Sequence, residues 1–243
     1  MFWRFLCILC FVLISAASAQ AQSEYTDKES DEEYAPQWLG SFYGDIGFPL
    51  RQFERNMDET GFGFGGELLY NVQYQQPVWA GIGVHSFAFD DYSLIYTEIF
   101  DGELFEYREV TASRLFVAHV LFRFQPDLNF FLQPYVQGGF GMHWFFTNTK
   151  IEDRDIDEIV ERYKENKDSA FGYSLHAGLQ FVPKGAPEIR VDLRVGYFKN
   201  PSAEYMRYDP SLGEEDSFPI DYFETRTSAV DFLGLHGGMT FLF

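Results

Sequence analysis

Cysteine is nearly absent: the chain has two, Cys7 and Cys10, both within its first ten residues. The remainder can form no disulfide, no thiolate nucleophile and no cysteine metal site. Long apolar runs are also missing. The one continuous stretch, Phe5–Ile14, is far shorter than the ~20 residues a membrane-spanning helix needs. Basic residues are scarce, with 18 Lys and Arg against 37 Asp and Glu for a net charge of −19. That balance excludes the electropositive footprint of a nucleic-acid-binding protein. If the chain enters a membrane, it must do so as strands.

What is present begins with an export signal. Arg4 precedes the apolar run, and the small-residue stretch Ser15–Ala21 follows it. Ala17-Ser18-Ala19 and Ala19-Gln20-Ala21 both fit the cleavage pattern, so residues 1–22 read as a signal peptide cut near residues 19–22. Leu9 before Cys10 argues against a lipoprotein. Segment 23–38 holds six carboxylates and one lysine and reads as an acidic, flexible N-terminal tail.

From Leu39 to Phe243 the sequence repeats one scheme, an alternating run followed by a connection. Period-two alternation gives a strand two chemically different faces. Phe62, Phe64, Leu68, Tyr70, Val72 and Tyr74 oppose Gly61, Gly63, Gly65, Glu67, Asn71 and Gln73. Phe171, Tyr173, Leu175, Leu179 and Phe181 oppose Gly172, Ser174, His176, Gly178 and Gln180. Eight such runs are expected: Leu39–Phe48, Thr60–Tyr74, Val78–Phe89, Thr111–Phe124, Phe130–Phe146, Ser169–Val182, Glu188–Phe198 and Thr227–Phe243.

The connections alternate in length. Gln75–Pro77, Gln125–Asn129 and Pro183–Pro187 are short and contain proline, as hairpin turns do. Segments 49–59, 90–110, 149–168 and 199–226 are longer and acidic. In the third, Ile156, Ile159, Val160 and Tyr163 fall at helical spacing and predict a short helix packed on the rim. Asp153, Asp155 and Asp157 begin like a calcium loop, but Glu158 and Lys164 break the pattern.

Alternation alone does not say which face is buried. A secreted, soluble lipocalin-like binding barrel would hide the apolar face. Three features favour the inverted arrangement: a glycine-rich polar face with few lysines, aromatic residues near strand ends, and runs longer than the ~9–11 residues a tilted strand needs to span the hydrocarbon. Tyr74, Phe122, Phe124, Phe130, Phe181, Phe241 and Phe243 lie beside the short turns; Trp144, Phe146, Phe171 and Tyr197 lie toward the long loops. Short turns on one side and long loops on the other complete the pattern.

The last eight residues, His236-Gly237-Gly238-Met239-Thr240-Phe241-Leu242-Phe243, resemble the signal by which the outer-membrane assembly machinery recognises a final strand. His236, Gly238, Phe241 and Phe243 match it. Residues 39–243 thereby resemble the small bacterial outer-membrane barrels, including the OmpA transmembrane domain and the OmpX and OmpW types. The resemblance implies an all-β, eight-stranded antiparallel up-and-down transmembrane barrel with short periplasmic turns and long extracellular loops. It also implies outer-membrane lipid and lipopolysaccharide as surroundings and the assembly machinery as a partner during biogenesis. No further domain is expected after the last strand.

All five histidines fall on the face assigned to the lumen. His85, His119, His143, His176 and His236 share it with Asp45, Glu67, Arg123, Glu188, Arg190, Asp192 and Arg194. Buried charges must pair or meet water, so these twelve residues are expected to form a polar network filling the lumen. No two histidines have ligand spacing along one strand, so neither a metal site nor a cofactor is assigned. No catalytic residue is assigned either, because His85 and Ser86 point to opposite faces and no nucleophile motif appears. The expected role is non-enzymatic: envelope structure, or an unidentified extracellular ligand held at loops carrying Tyr92, Tyr96, Tyr107, Tyr205, Tyr208 and Tyr222. A narrow channel for small solutes or ions is the alternative.

Overall fold

The computed structural model describes residues 37–57, 60–72, 76–100, 103–126, 128, 130–153, 158–208, 211–212 and 222–243. The expected signal peptide and nearly all of the acidic tail lie outside them. Eight strands follow in order: β1 (Trp38–Leu50), β2 (Gly61–Asn71), β3 (Val78–Phe100), β4 (Glu103–Phe124), β5 (Leu132–Asp153), β6 (Glu158–Phe181), β7 (Ile189–Tyr208) and β8 (Phe223–Leu242), with one helix, α1 (Arg51–Met57), between β1 and β2. Each strand pairs antiparallel with its sequence neighbour, and β8 returns to pair with β1. Closure removes every sheet edge within the barrel wall, as hydrocarbon surroundings demand.

The wall is inside out. Phe64 is 72% exposed, Phe42 71% and Phe62 65%, whereas His143, Asp192 and His236 are wholly buried. A soluble barrel would show the reverse, so the lipocalin-like alternative is excluded. Glycine on the inner face serves a steric purpose. A Cβ at Gly65 would stand 2.1 Å from His85 Nδ1, and one at Gly178 would stand 2.3 Å from the Tyr135 ring. Glycines across the ladder are what allow a ring of this bore to hold tyrosine, histidine and arginine together.

The long segments differ from expectation. Strands β3 and β4 stay paired out to Phe100↔Glu103, and β5 and β6 out to Asp153↔Glu158. Most of the second and third acidic loops are therefore hairpin ribbon. The rim helix expected around Ile159 and Tyr163 is absent. Its helical spacing is overridden by pairing, since Ile159 lies opposite Glu152 and Tyr163 opposite Thr149, with bulges absorbing the irregular register. Ile156 lies outside the described residues. The helix that does form, α1, stands in the first loop. It drops Phe53 into the barrel mouth, fully buried, at 5.2 Å from the Phe89 ring and 5.5 Å from Tyr205.

The lumen is filled in layers, as an eight-stranded bore permits. Beside the short turns, Leu39, Leu69, Trp79 and Leu121 form a small apolar floor. A polar layer lies above it. Over that sits an apolar ceiling of Phe53, Phe87, Phe89, Leu115, Val117, Phe145, Phe198, Tyr205, Val230 and Phe232. The outer part of β7 bends inward past a bulge at Asn200/Ala203, burying Ala203, Tyr205 and Met206 over the mouth. The cavity beneath this lid, lined by Phe53, Phe89, Phe145 and Tyr205 among others, has a volume of about 10 Å³, no more than one water occupies.

Candidate lumenal site

Three carboxylates organise the polar layer. Glu67 on β2 accepts from Arg123 Nη2 at 2.9 Å through Oε2, and from Arg194 Nη1 at 2.5 Å and Gln137 Nε2 at 2.8 Å through Oε1. Arg123 and Arg194 are among the largest fully buried side chains. Each guanidinium lies on a tyrosine face, Arg123 over Tyr135 at 4.1 Å and Arg194 over Tyr43 at 3.9 Å, where the ring quadrupole offsets part of the lost hydration. Asp192 on β7 accepts from Tyr135 Oη at 2.7 Å and Gln180 Nε2 at 2.8 Å, with Thr240 and Tyr43 hydroxyls at 3.2 and 3.3 Å.

Asp45 on β1 has no guanidinium. Its partners are His85 Nδ1 at 2.6 Å and His236 Nδ1 at 2.7 Å. Arg194 Nη2 lies 3.1 Å from His85 Nε2. A guanidinium can only donate, so that nitrogen accepts. The ring proton of His85 therefore sits on Nδ1 and is donated to Asp45. The other histidines continue the network upward. His119 Nε2 and His143 Nε2 share one proton at 2.8 Å, and His119 Nδ1 meets Ser174 Oγ at 2.9 Å. The His176 ring stands 5.6 Å from that of His236.

Ten of the twelve expected network residues are thus buried together: Asp45, Glu67, His85, His119, Arg123, His143, His176, Asp192, Arg194 and His236. Two are not. Glu188 precedes β7 and is exposed at the short-turn end; Arg190 stands at the edge, reaching Gln180 Oε1 at 3.3 Å. Both have the correct parity but lie beyond the floor. The assembly-signal residues divide by face: His236 and Gly238 point inward, Phe241 and Phe243 outward. Phe243 completes closure through backbone bonds with Trp38, 2.8 and 3.0 Å.

Sequence reasoning missed the aromatic ceiling. The signal was available, because Phe87 and Phe89 share parity with His85, and Phe232 with His236. It also missed the pairing of Ser174 with His119, which joins β6 to β4, strands that are not neighbours in the ring. Tyr205, which falls in the fourth acidic segment of the sequence, is buried in the mouth.

No family description matches the chain, and no curated protein sequence matches it. Solved structures are similar in shape. Neisserial surface protein A aligns at 10% identity over 87% of this chain and all of its own, with a TM-score of 0.44. A major outer membrane protein of Thermus thermophilus aligns at 13% identity, covering 84% of this chain and 99% of its own, with a TM-score of 0.40. OprG of Pseudomonas aeruginosa aligns at 13% identity over 86% and 96%, with a TM-score of 0.39. Likeness this distant carries no functional argument; the closed ring of eight strands, its apolar exterior and its polar lumen carry the assignment. The chain is a closed eight-stranded β-barrel with the inside-out wall of a membrane-spanning barrel.

Proposed function

We propose that the protein is a non-enzymatic, non-conducting barrel that serves envelope structure and surface contact. One observation carries this: the lumen is stopped twice, by the Glu67–Arg123–Arg194 network and by the aromatic ceiling that Phe53 of α1 and Tyr205 of outer β7 complete. An ion would have to displace two buried guanidiniums and then an apolar layer, each step costing several kcal/mol. Ser174 and His119 do form a hydroxyl–imidazole pair, but both are buried beneath that layer, where no lipid or peptide substrate reaches them. This supports a structural rather than a catalytic role for the pair.

Outside the wall, the surface for contact is the ribbon of β3 to β6. Tyr96 and Tyr107 lie ring to ring at 5.7 Å across the β3–β4 hairpin. On β5 the Lys150 ammonium donates to Glu152 and holds its carboxyl below the usual carboxylate range. An acidic ribbon of this kind suits a cationic or cation-bridged partner, including the lipopolysaccharide surface through divalent ions. Export through residues 1–22 and insertion by the assembly machinery belong to the same proposal.

The experiment is solute release from lipid vesicles containing the refolded mature barrel. A closed barrel leaves release at the level of empty vesicles. Size-limited release would instead establish the narrow-channel alternative.

A further inference from the structure

Asp45, His85 and His236 lie on β1, β3 and β8, and one ligand atom from each falls within 4.8 Å of the others. All three are buried. Asp45 and His236 are direct partners across the β1–β8 seam, the pairing that closes the ring. We propose that this trio binds a divalent transition-metal ion that staples the first strand of the barrel to the last.

The donor set is two imidazoles and a carboxylate, which suits zinc and its first-row neighbours rather than calcium or magnesium. Charge points the same way. Among the described residues, the guanidiniums buried in this layer with Asp45, Glu67 and Asp192 are Arg123 and Arg194, and both form their ion pairs with Glu67. Asp45 is left with imidazoles alone, and a buried carboxylate calls for a cation.

The surrounding groups suit metal-bound rings. A histidine that ligates through Nδ1 carries its proton on Nε2 and needs an acceptor there. For His85, Glu67 Oε1 is 3.8 Å from Nε2, within reach once Arg194 Nη2 gives way. For His236, Nε2 is buried without a partner among the described residues, and so is Nδ1 of His176. Both nitrogens face one spot beside Gly196, whose absent Cβ would lie 2.3 Å from the His176 atom and 3.1 Å from the His236 atom. Ligation through Nδ1 places the proton of His236 on Nε2, on the side of that spot. Floor and ceiling enclose the site, so the ion enters as the barrel closes.

The test is refolding of the metal-stripped mature barrel in detergent with one equivalent of Co²⁺ or Zn²⁺, followed by gel filtration and metal analysis of the folded fraction. We expect one metal per barrel, visible d–d absorption with Co²⁺, and raised resistance to heat in the gel-mobility assay. Glu67→Gln should weaken binding about 10- to 100-fold. His236→Gln should abolish it, while His143→Gln, outside the trio, retains it. Folded wild-type barrel without stoichiometric metal would overturn the proposal and leave a proton as the cation on Asp45. So would binding that survives in folded His236→Gln. Should that variant not fold, Asp45→Asn and the wild-type cobalt spectrum still decide.

Discussion

The rings of Phe198 and Phe232 lie face to face in the barrel, 4.5 Å between centroids and 3° between planes. They come from the paired strands β7 and β8, at directly opposed positions, and Phe87 meets both edge-on at 5.9 and 5.0 Å. Three aromatic rings on a bore this narrow make the ceiling a packed core rather than a gate of single side chains.

Truncating that core should be costly. Phe198→Ala removes a wholly buried ring and is expected to lower folded stability by about 3–5 kcal/mol, read from the urea midpoint in detergent micelles. A loss below about 1 kcal/mol would mean that the layer is loosely filled.

The Glu67 hub gives a sharper contrast. Glu67→Ala strands two buried guanidiniums, and leaving a buried charge without its partner costs about 3–5 kcal/mol. The double variant Arg123→Met with Glu67→Gln removes a charge of each sign and should cost clearly less. Equal losses in the two denaturation curves would contradict an ion-pair origin.

The lipid-facing wall makes a prediction of opposite kind. Ile82 is 61% exposed and lies between the apolar Leu68 and Val120 across its two ladders. Ile82→Arg should destabilise the barrel in bilayers by about 2–4 kcal/mol. On a water-facing wall the same change would be neutral, so the refolding equilibrium in lipid vesicles separates the two.

Phe243 tests assembly apart from stability. Its backbone bonds to Trp38 survive substitution, while its ring is 64% exposed to lipid. Phe243→Asp is expected to reduce barrel insertion in cells several-fold. Spontaneous refolding of the purified variant should fall by less. Unchanged insertion in cells would count against the assembly signal.

These contrasts also mark how far the sequence could be read. The strands were legible, because Phe62, Phe64 and Leu68 alternate with Gly61, Gly63 and Glu67; the outward face was legible from the glycine-rich polar side and the aromatics at strand ends. The burial of Glu67, Arg194 and the histidines followed from the same parity. Convergence was not legible. Asp45, His85 and His236 sit on strands far apart in sequence, and only the register of β1 with β8 and the closing of the ring make them neighbours. Helix α1 escaped notice because seven residues show less than two full turns of periodicity. The false helix near Tyr163 arose from apolar residues at helical spacing, overruled by strand pairing with β5.

The most direct measurement is single-channel conductance of the refolded mature barrel in planar bilayers across pH 5–8, the range in which unperturbed histidines titrate. A lumen stopped by the Glu67 network and by the Phe198–Phe232 layer predicts insertion with no openings at any pH. Steady openings, above all openings that grow as the histidines protonate, would contradict it and make the lumen a regulated path.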